Sequence, residues 1–476
     1  MIEKEFLDTS RKALFINLDD TIYGSFAEIG GGQEVARHFF KSGGASGTIA
    51  KTTSAYDMVF SDTIYGKCSA RRYVSESRLL QMMDKEYSNL ITVLCDERDS
   101  PTRYFSYCNT VTTLNYQKDN EAHGWIGVRF QLSPKSEPND VILHVRLLEK
   151  DRLLQQNTLG ELGVNLIYAC FFNYKYPNSF LKSLIENITT DRIEIDMIRM
   201  KGPELDYVDN RLLALQLVKN EMTSVSVFNR HGEVLQPADM LYKKNIMLMR
   251  GSFRPITYVG FDMLKAGFAL FKKDVGFVKE KTVVLCEMTL RNLMSSGDFD
   301  ERDFLARVDI LCGMGQNVMV SNFREFYKLA IWLRRFKIEN IRMIIGALTF
   351  QNIIDKRYYD NLKGGILEAL GYLFMKNLKV YLYPGKEKNA DEIYTKDNIP
   401  VDDKIKYLFK YLVDNDFIVD IPGFRKEVLP FFSHTVLRKI KENDPEWEVM
   451  VPKYVSDFIK TKKLFGYNAE AGDGQN

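Results

Sequence analysis

The feature that most limits the fold is a rhythm. Between residues 161 and 385, short apolar runs recur and helical patterns separate most of them. The runs are "VNLIYACFF" (164–172), "RIEIDMIRM" (192–200), "SVSVFN" (224–229), "NIMLMRG" (245–251), "TVVLCEMTL" (282–290), "NVMVSN" (317–322), "IRMIIGAL" (341–348) and "LKVYLYP" (378–384). Helical periodicity marks "SFLKSLIENI" (179–188), "NRLLALQLVKN" (210–220), "ERDFLARVDILCGMG" (301–315), "REFYKLAIWLRRF" (324–336) and "GGILEALGYLF" (364–374). Short strands alternating with helices predict parallel βα units. Strands that are apolar almost throughout belong to a sheet covered on both faces. About eight such strands fit either a closed barrel or an open doubly wound sheet, and spacing leaves both open.

The flanks differ. Residues 1–160 read as mixed α/β. "SFAEIG" (25–30) predicts a strand, "QEVARHFFKS" (33–42) a helix, "SAYDMVFSD" (54–62) a strand and "SESRLLQMMDKEYSNLITVL" (75–94) a long helix. "GWIGVRFQLS" (124–133) and "DVILHVRLLE" (140–149) alternate as the arms of an antiparallel hairpin do. After residue 385 comes a polar, turn-rich linker, then helical patterns and a tail, "GYNAEAGDGQN", expected to be disordered. The expected fold class is α/β. A mixed domain occupies 1–160, a parallel βα sheet or barrel 161–385, and a linker with C-terminal helices 386–476.

Composition narrows the function classes. The formal net charge of +2 gives no electrostatic reason to bind nucleic acid or an anionic membrane. No apolar run is long enough to span a bilayer, and the N-terminus lacks a signal-peptide core. The six cysteines form no CxxC pair and read as buried free thiols of a reducing compartment. A cytoplasmic protein is expected, and a homo-oligomer is compatible with this composition.

Several stretches carry candidate chemistry. "LFINLDDTIYG" (14–24) resembles the nucleophile motif of haloacid-dehalogenase-type phosphatases, but the nucleophile position holds Asn17 and the acid position Asp19. An amide cannot form an aspartyl-phosphate, so the alternative is a turn closed by Asn and Asp side chains. In "FAEIGGGQEVA", Gly30, Gly31 and Gly32 stand between a strand and a helix, where main-chain amides can approach a phosphate and Glu28 can accept from a ribose hydroxyl. A structural turn is the other reading. "KSGGASGTIAKTT" adds Gly43, Gly44, Gly47, Lys51 and Thr52, the makings of an anion site or of a surface loop. The expectation is that both glycine-rich segments fold into one cradle.

No HxH, HxxxH or HExxH spacing occurs, so zinc is not expected. His123, at a loop–strand junction, is the candidate acid/base. In "DRIEIDMIRMKGPELDYVDNR", Glu194 and Asp196 share a strand face by period two and are candidate catalytic acids. Asp206 and Asp209 follow that strand and are candidate ligands for a divalent ion, magnesium; solvated acids around a turn are the other reading. Ser321, Asn322, Gln351 and Asn352 stand just past strand ends, as a ligand rim would.

"GSFAEIGGGQEVARHFF", "DRIEIDMI", "VDNRLLALQLV" and "GGILEALGYLF" together resemble a family of bacterial proteins of similar length. Its members carry two conflicting names, nicotinate-nucleotide adenylyltransferase and TonB-dependent receptor. The receptor name implies a signal peptide and a series of membrane strands, and the sequence has neither. The transferase name implies nucleotidyl transfer and a HxGH-type motif, yet His38 is followed by Phe39 and Phe40. The expected function is a cytosolic enzyme acting on a nucleotide or phosphorylated small molecule, with nucleotidyl transfer as the reaction class. The alternative is a non-enzymatic binding or assembly protein.

Overall fold

The computed structural model describes residues 7–67, 72–94, 96–98, 101–294, 299–375, 377–386 and 392–468. Cys68, Cys95, part of the expected linker and most of the expected tail lie outside them. The chain divides into two compact units, 1–226 and 227–476.

The first unit opens with α1 (Thr9–Asn17), β1 (Ile22–Gly30), α2 (Val35–Ser42) and β2 (Ile49–Thr53), followed by α3 (Met58–Tyr65) and α4 (Glu76–Leu94). Then come β3 (Arg103–Thr112), β4 (His123–Phe130), β5 (Asn139–Leu147), α5 (Arg152–Phe172), α6 (Pro177–Leu184), β6 (Ile193–Lys201) and α7 (Asn210–Lys219). Its sheet has the order β2-β1-β3-β4-β5-β6. β1 is parallel to both neighbours, while β3 to β6 are joined antiparallel, the β4–β5 pair being the expected hairpin.

One face of this sheet is covered by α1, α2 and α5, where Ala13, Val35, Phe39, Leu159, Leu162 and Leu166 join Phe26, Phe105, Tyr107 and Val128 in one buried core. Helix α4 covers the other face, with Met83 and Leu79 filling the space over Gly127. The contact of α5 with α2 needs glycine: a Cβ on Gly163 would stand 2.3 Å from Val35 Cγ2 and 2.9 Å from the Tyr107 hydroxyl. Two expected strands are helices. "VNLIYACFF" lies inside α5, since a helix buried all round is apolar all round and its 3.6-residue period vanishes. "SAYDMVFSD" runs into α3, capped by Asp57, whose carboxylate accepts from Phe60 N at 2.8 Å. "LFINL" is also helical and lies in α1, so the phosphatase-like strand is not formed.

The second unit is built on an open sheet, not a barrel. Its first elements are β7 (Val225–Phe228), which spans the division between the units, β8 (Val234–Leu235), α8 (Pro237–Leu241), β9 (Asn245–Arg250), α9 (Tyr258–Phe271), β10 (Thr282–Thr289) and α10 (Leu290–Leu293). They continue with α11 (Glu301–Gly313), β11 (Asn317–Ser321), α12 (Phe326–Leu333), β12 (Asn340–Gly346), α13 (Ala347–Ile353), α14 (Gly365–Leu373) and β13 (Leu378–Tyr383). A small ribbon, β14 (Gly385–Lys386) with β15 (Ile393–Tyr394), precedes α15 (Lys406–Asp414), β16 (Ile418–Asp420), α16 (Ser433–Lys441) and α17 (Lys453–Lys462). The sheet order is β16-β13-β12-β9-β10-β11-β7-β8. β9 to β13 and β16 are parallel, and the order reverses between β9 and β12, the mark of a doubly wound sheet.

The expected break at residue 160 falls inside α5, and the region after 385 contributes a strand, β16, to this sheet. No helix among the described residues is long and apolar enough to cross a membrane.

Candidate functional site

In an open α/β sheet, ligands collect outside the carboxyl ends of parallel strands where successive connections leave on opposite faces. β1 is such a place. Its connection to β2 runs through α2 on one face, and the connection from β2 to β3 runs through α4 on the other. At the carboxyl ends of β1 and β3 lies a cavity of about 460 Å³ lined by Gly30, Gly31, Gln33, Tyr56, Thr112, Thr113 and Arg152, among others. That volume falls within the roughly 300–1,000 Å³ range of small-molecule pockets. β2 returns parallel to β1, so its continuation brings Tyr56 to the rim, and Gln33 Nε2 donates to Ser54 Oγ at 2.7 Å across the opening.

The glycine turn is shaped by its neighbour β3. Gly31 N donates to Val111 O at 3.2 Å, and Asn109 Nδ2 donates to Gly32 O at 2.8 Å. A Cβ on Gly32 would stand 2.3 Å from Asn109 Oδ1, so the close approach requires glycine. The start of α2 is already filled: Glu28 Oε1 accepts from Val35 N at 3.1 Å. This corrects the expected ribose contact, because Glu28 is buried beneath the turn. Burial, the largest influence, pushes its carboxyl up to about 8, against the pull of the Val35 and Ala36 amides.

The single cradle is not formed. Gly43, Gly44 and Gly47 follow the C-terminal end of α2, whereas Gly30–Gly32 precede its N-terminal end. An eight-residue helix separates them, about 12 Å at 1.5 Å per residue. Asp19 accepts from Thr21 N and closes the turn expected of the opening motif, whereas Asn17 Nδ2 reaches the end of α2, donating to Gly43 O at 2.7 Å and to Phe39 O at 2.9 Å. Lys51 is committed to Glu86, 2.7 Å away, which also accepts from the Tyr65 hydroxyl at 2.8 Å. Thr52 lies on the edge strand β2, paired with Phe26.

His123 opens a chain of ring nitrogens. Its Nδ1 is 3.1 Å from His144 Nε2, and His144 Nδ1 is 2.6 Å from Asp196 Oδ1. The carboxylate can only accept, so His144 Nδ1 carries a proton, and where the His144 ring is neutral its Nε2 accepts from His123 Nδ1–H. That assignment leaves His123 Nε2 as the lone pair at the open end of the chain. Burial chiefly, and then the positive charge His144 would carry, push His123 down to about 4, so the ring is neutral near pH 7. A proton taken at Nε2 can move through Nδ1 to His144 and end beside Asp196.

Glu194, on the same strand as Asp196, is 2.6 Å from Arg146 and accepts from Thr223 Oγ1 at 2.8 Å; burial and the Asp196 charge raise it. His123 pairs with Thr112 across β3 and β4, and Thr112 lines the cavity. His123 itself does not line the cavity: it shares a face of β4 with Gly127, under α4, whereas Arg152 opens α5 on the other face of the sheet.

The carboxylates offered as metal ligands do not fit that role. Asp209 caps α7, accepting from Arg211 N at 2.9 Å, and pairs with the Arg211 guanidinium at 2.7 Å. Asp206 is exposed in the turn. Among the described residues no group of three or more His, Cys, Asp or Glu side chains could hold a metal ion. Ser321, expected at a ligand rim, instead donates to the buried Glu287 at 2.6 Å.

Tyr56, Arg152 and Thr113 belong to the cavity without having stood out in the sequence, because each comes from a different loop or helix start. His144 was hidden in an apolar run. The available signal was its place on the strand facing Asp196.

No protein-family model matches the chain, and no curated protein matches it significantly. Solved structures align over part of it. The competence/damage inducible protein CihA from Agrobacterium tumefaciens is 16% identical over 34% of this chain and 95% of its own, with a TM-score of 0.26. A CinA-superfamily protein from Escherichia coli is 15% identical over 37% of this chain and 92% of its own, at 0.24. A putative nicotinate-nucleotide adenylyltransferase from Vibrio parahaemolyticus is 13% identical over 47% of this chain and 97% of its own, also at 0.24. Likenesses this distant carry no argument about what this chain does.

Proposed function

We propose that the first unit takes a nucleotide or phosphorylated small molecule into the cavity at the ends of β1 and β3. The observation that supports this reading most is the place of the cavity in the sheet. A cavity with one cation, Arg152, and several amide and hydroxyl side chains sits where an α/β sheet gathers ligands. Arg152 supplies the charge for a phosphate and Tyr56 an aromatic face for a base. The setting is cytosolic, and nucleotidyl transfer is the reaction class to assay first. Asp206, exposed in the turn, and Asp209, paired with Arg211, do not form a site for magnesium.

Thermal shift and calorimetry with a panel of nucleoside mono-, di- and triphosphates test the reading. A ligand at a hundred times its dissociation constant stabilises by about 2.7 kcal/mol. Arg152→Ala should weaken binding at least tenfold. Silence across the panel would discard the reading.

One observation favours a second, non-enzymatic reading. Tyr56, Met58, Val59 and Phe60 are 79%, 58%, 74% and 57% exposed in one short stretch, an apolar patch suited to assembly. Light scattering of the wild type and of Val59→Asp separates the two: loss of a dimer in the variant, with no ligand bound by the wild type, would favour assembly.

A further inference from the structure

A second cavity, of about 310 Å³, lies wholly within the second unit and gathers four cations, Arg254, Arg302, Lys441 and Lys463, beside Asp300 and Asp303. Both acids are committed elsewhere. Asp300 caps α11, accepting from Arg302 N at 2.9 Å and Asp303 N at 3.2 Å. Asp303 accepts from Arg254 Nε at 2.6 Å and also pairs with Arg307, so two guanidinium groups share its charge. Lys441 and Lys463 are exposed, and neither is in an ion pair among the described residues.

A separate feature of the backbone points the same way. Phe465 and Gly466, which also line the cavity, both have left-handed φ, 55° and 87°. Among the described residues neither N–H donates to a protein acceptor, although Leu464 N and Tyr467 N on either side do. Successive amides in such a turn form a concavity for anions. Gly466 also keeps the wall close, since a Cβ there would stand 3.2 Å from Lys441 Cγ.

Lone surface lysines are usually solvated. Here, however, the net positive lining and the two adjacent amides without a protein acceptor border one half-open cavity. We propose that this cavity binds the phosphate group of a phosphorylated small molecule, a phosphomonoester or diphosphate dianion. Its size, at the lower end of ligand pockets, suits a phosphate with little attached. The site is independent of the cavity in the first unit.

The test is isothermal titration of the full chain with inorganic pyrophosphate, repeated with sulfate, a nucleoside triphosphate and a sugar phosphomonoester. Wild type should bind pyrophosphate, and Lys441→Ala/Lys463→Ala should weaken it at least tenfold with unchanged circular dichroism. Lys441→Arg/Lys463→Arg should bind within threefold of wild type. A triphosphate or phosphomonoester that binds tighter than pyrophosphate, with the same loss in the alanine variant, identifies the source of the phosphate. No heat with pyrophosphate, equal affinity for sulfate, or undiminished binding by the alanine variant would overturn the proposal.

Discussion

His123 and Glu28 are both held neutral by burial, and they load the stability curve from opposite sides. A folded His123 near 4 against an ordinary 6.5 means that the unfolded chain takes up the proton first, so stability falls as pH drops from 6.5 towards 4. A folded Glu28 near 8 against 4.5 means that the unfolded chain loses the proton first, so stability falls as pH rises from 4.5 towards 8. Urea titrations of Glu28→Gln should therefore show a gain of about 2 kcal/mol at pH 8 that vanishes by pH 4.5, because the amide oxygen can still accept from Val35 N. A flat difference across that range would mean that Glu28 is ionised in the fold. Buried charge behaves differently at Glu287, which is fully buried and held by both Arg250 Nε and the terminal nitrogen at 2.9 Å. Arg250→Met strands that carboxylate and should cost about 3–5 kcal/mol in chemical denaturation; adding Glu287→Gln should restore much of it.

At the level of elements, packing of α5 on α2 depends on the absence of a side chain. Gly163→Ala should destabilise by about 1–3 kcal/mol, read from the denaturation midpoint, because Val35 and Tyr107 have no room to retreat inside the core. The parallel strands of the second unit were legible in the sequence because buried strands are short, apolar and bounded by turns. The hairpin of β4 and β5 was legible because its residues alternate. The α5 segment was not, since "VNLIYACFF" has the composition of a buried strand and only its run-on from residue 152 shows a helix. The site was harder still. That Glu194 and Asp196 share a face follows from period two, but the partner of Asp196 is on another strand, and the β-bulge between His144 and Val145 shifts the register that would reveal it. The cradle failed for a countable reason: the helix between the two glycine segments has a fixed length.

As a whole, the described residues form two large sheets and a two-stranded ribbon, in units that divide at 226/227. Calorimetry of the full chain should resolve two transitions, with Phe105→Ala lowering one by about 3–5 kcal/mol and leaving the other in place. A single transition that moves as one would show that the units unfold together. The doubly wound order of the second sheet also has a consequence during synthesis. β9 is zipped on one side by β10 soon after it is made, but its other side waits for β12, which leaves the ribosome only after everything from Arg250 to Asn340 has been translated. Until then the nascent chain holds out an apolar, unsatisfied strand margin to any neighbour on the same message, and this is the interval in which a holding chaperone would matter most.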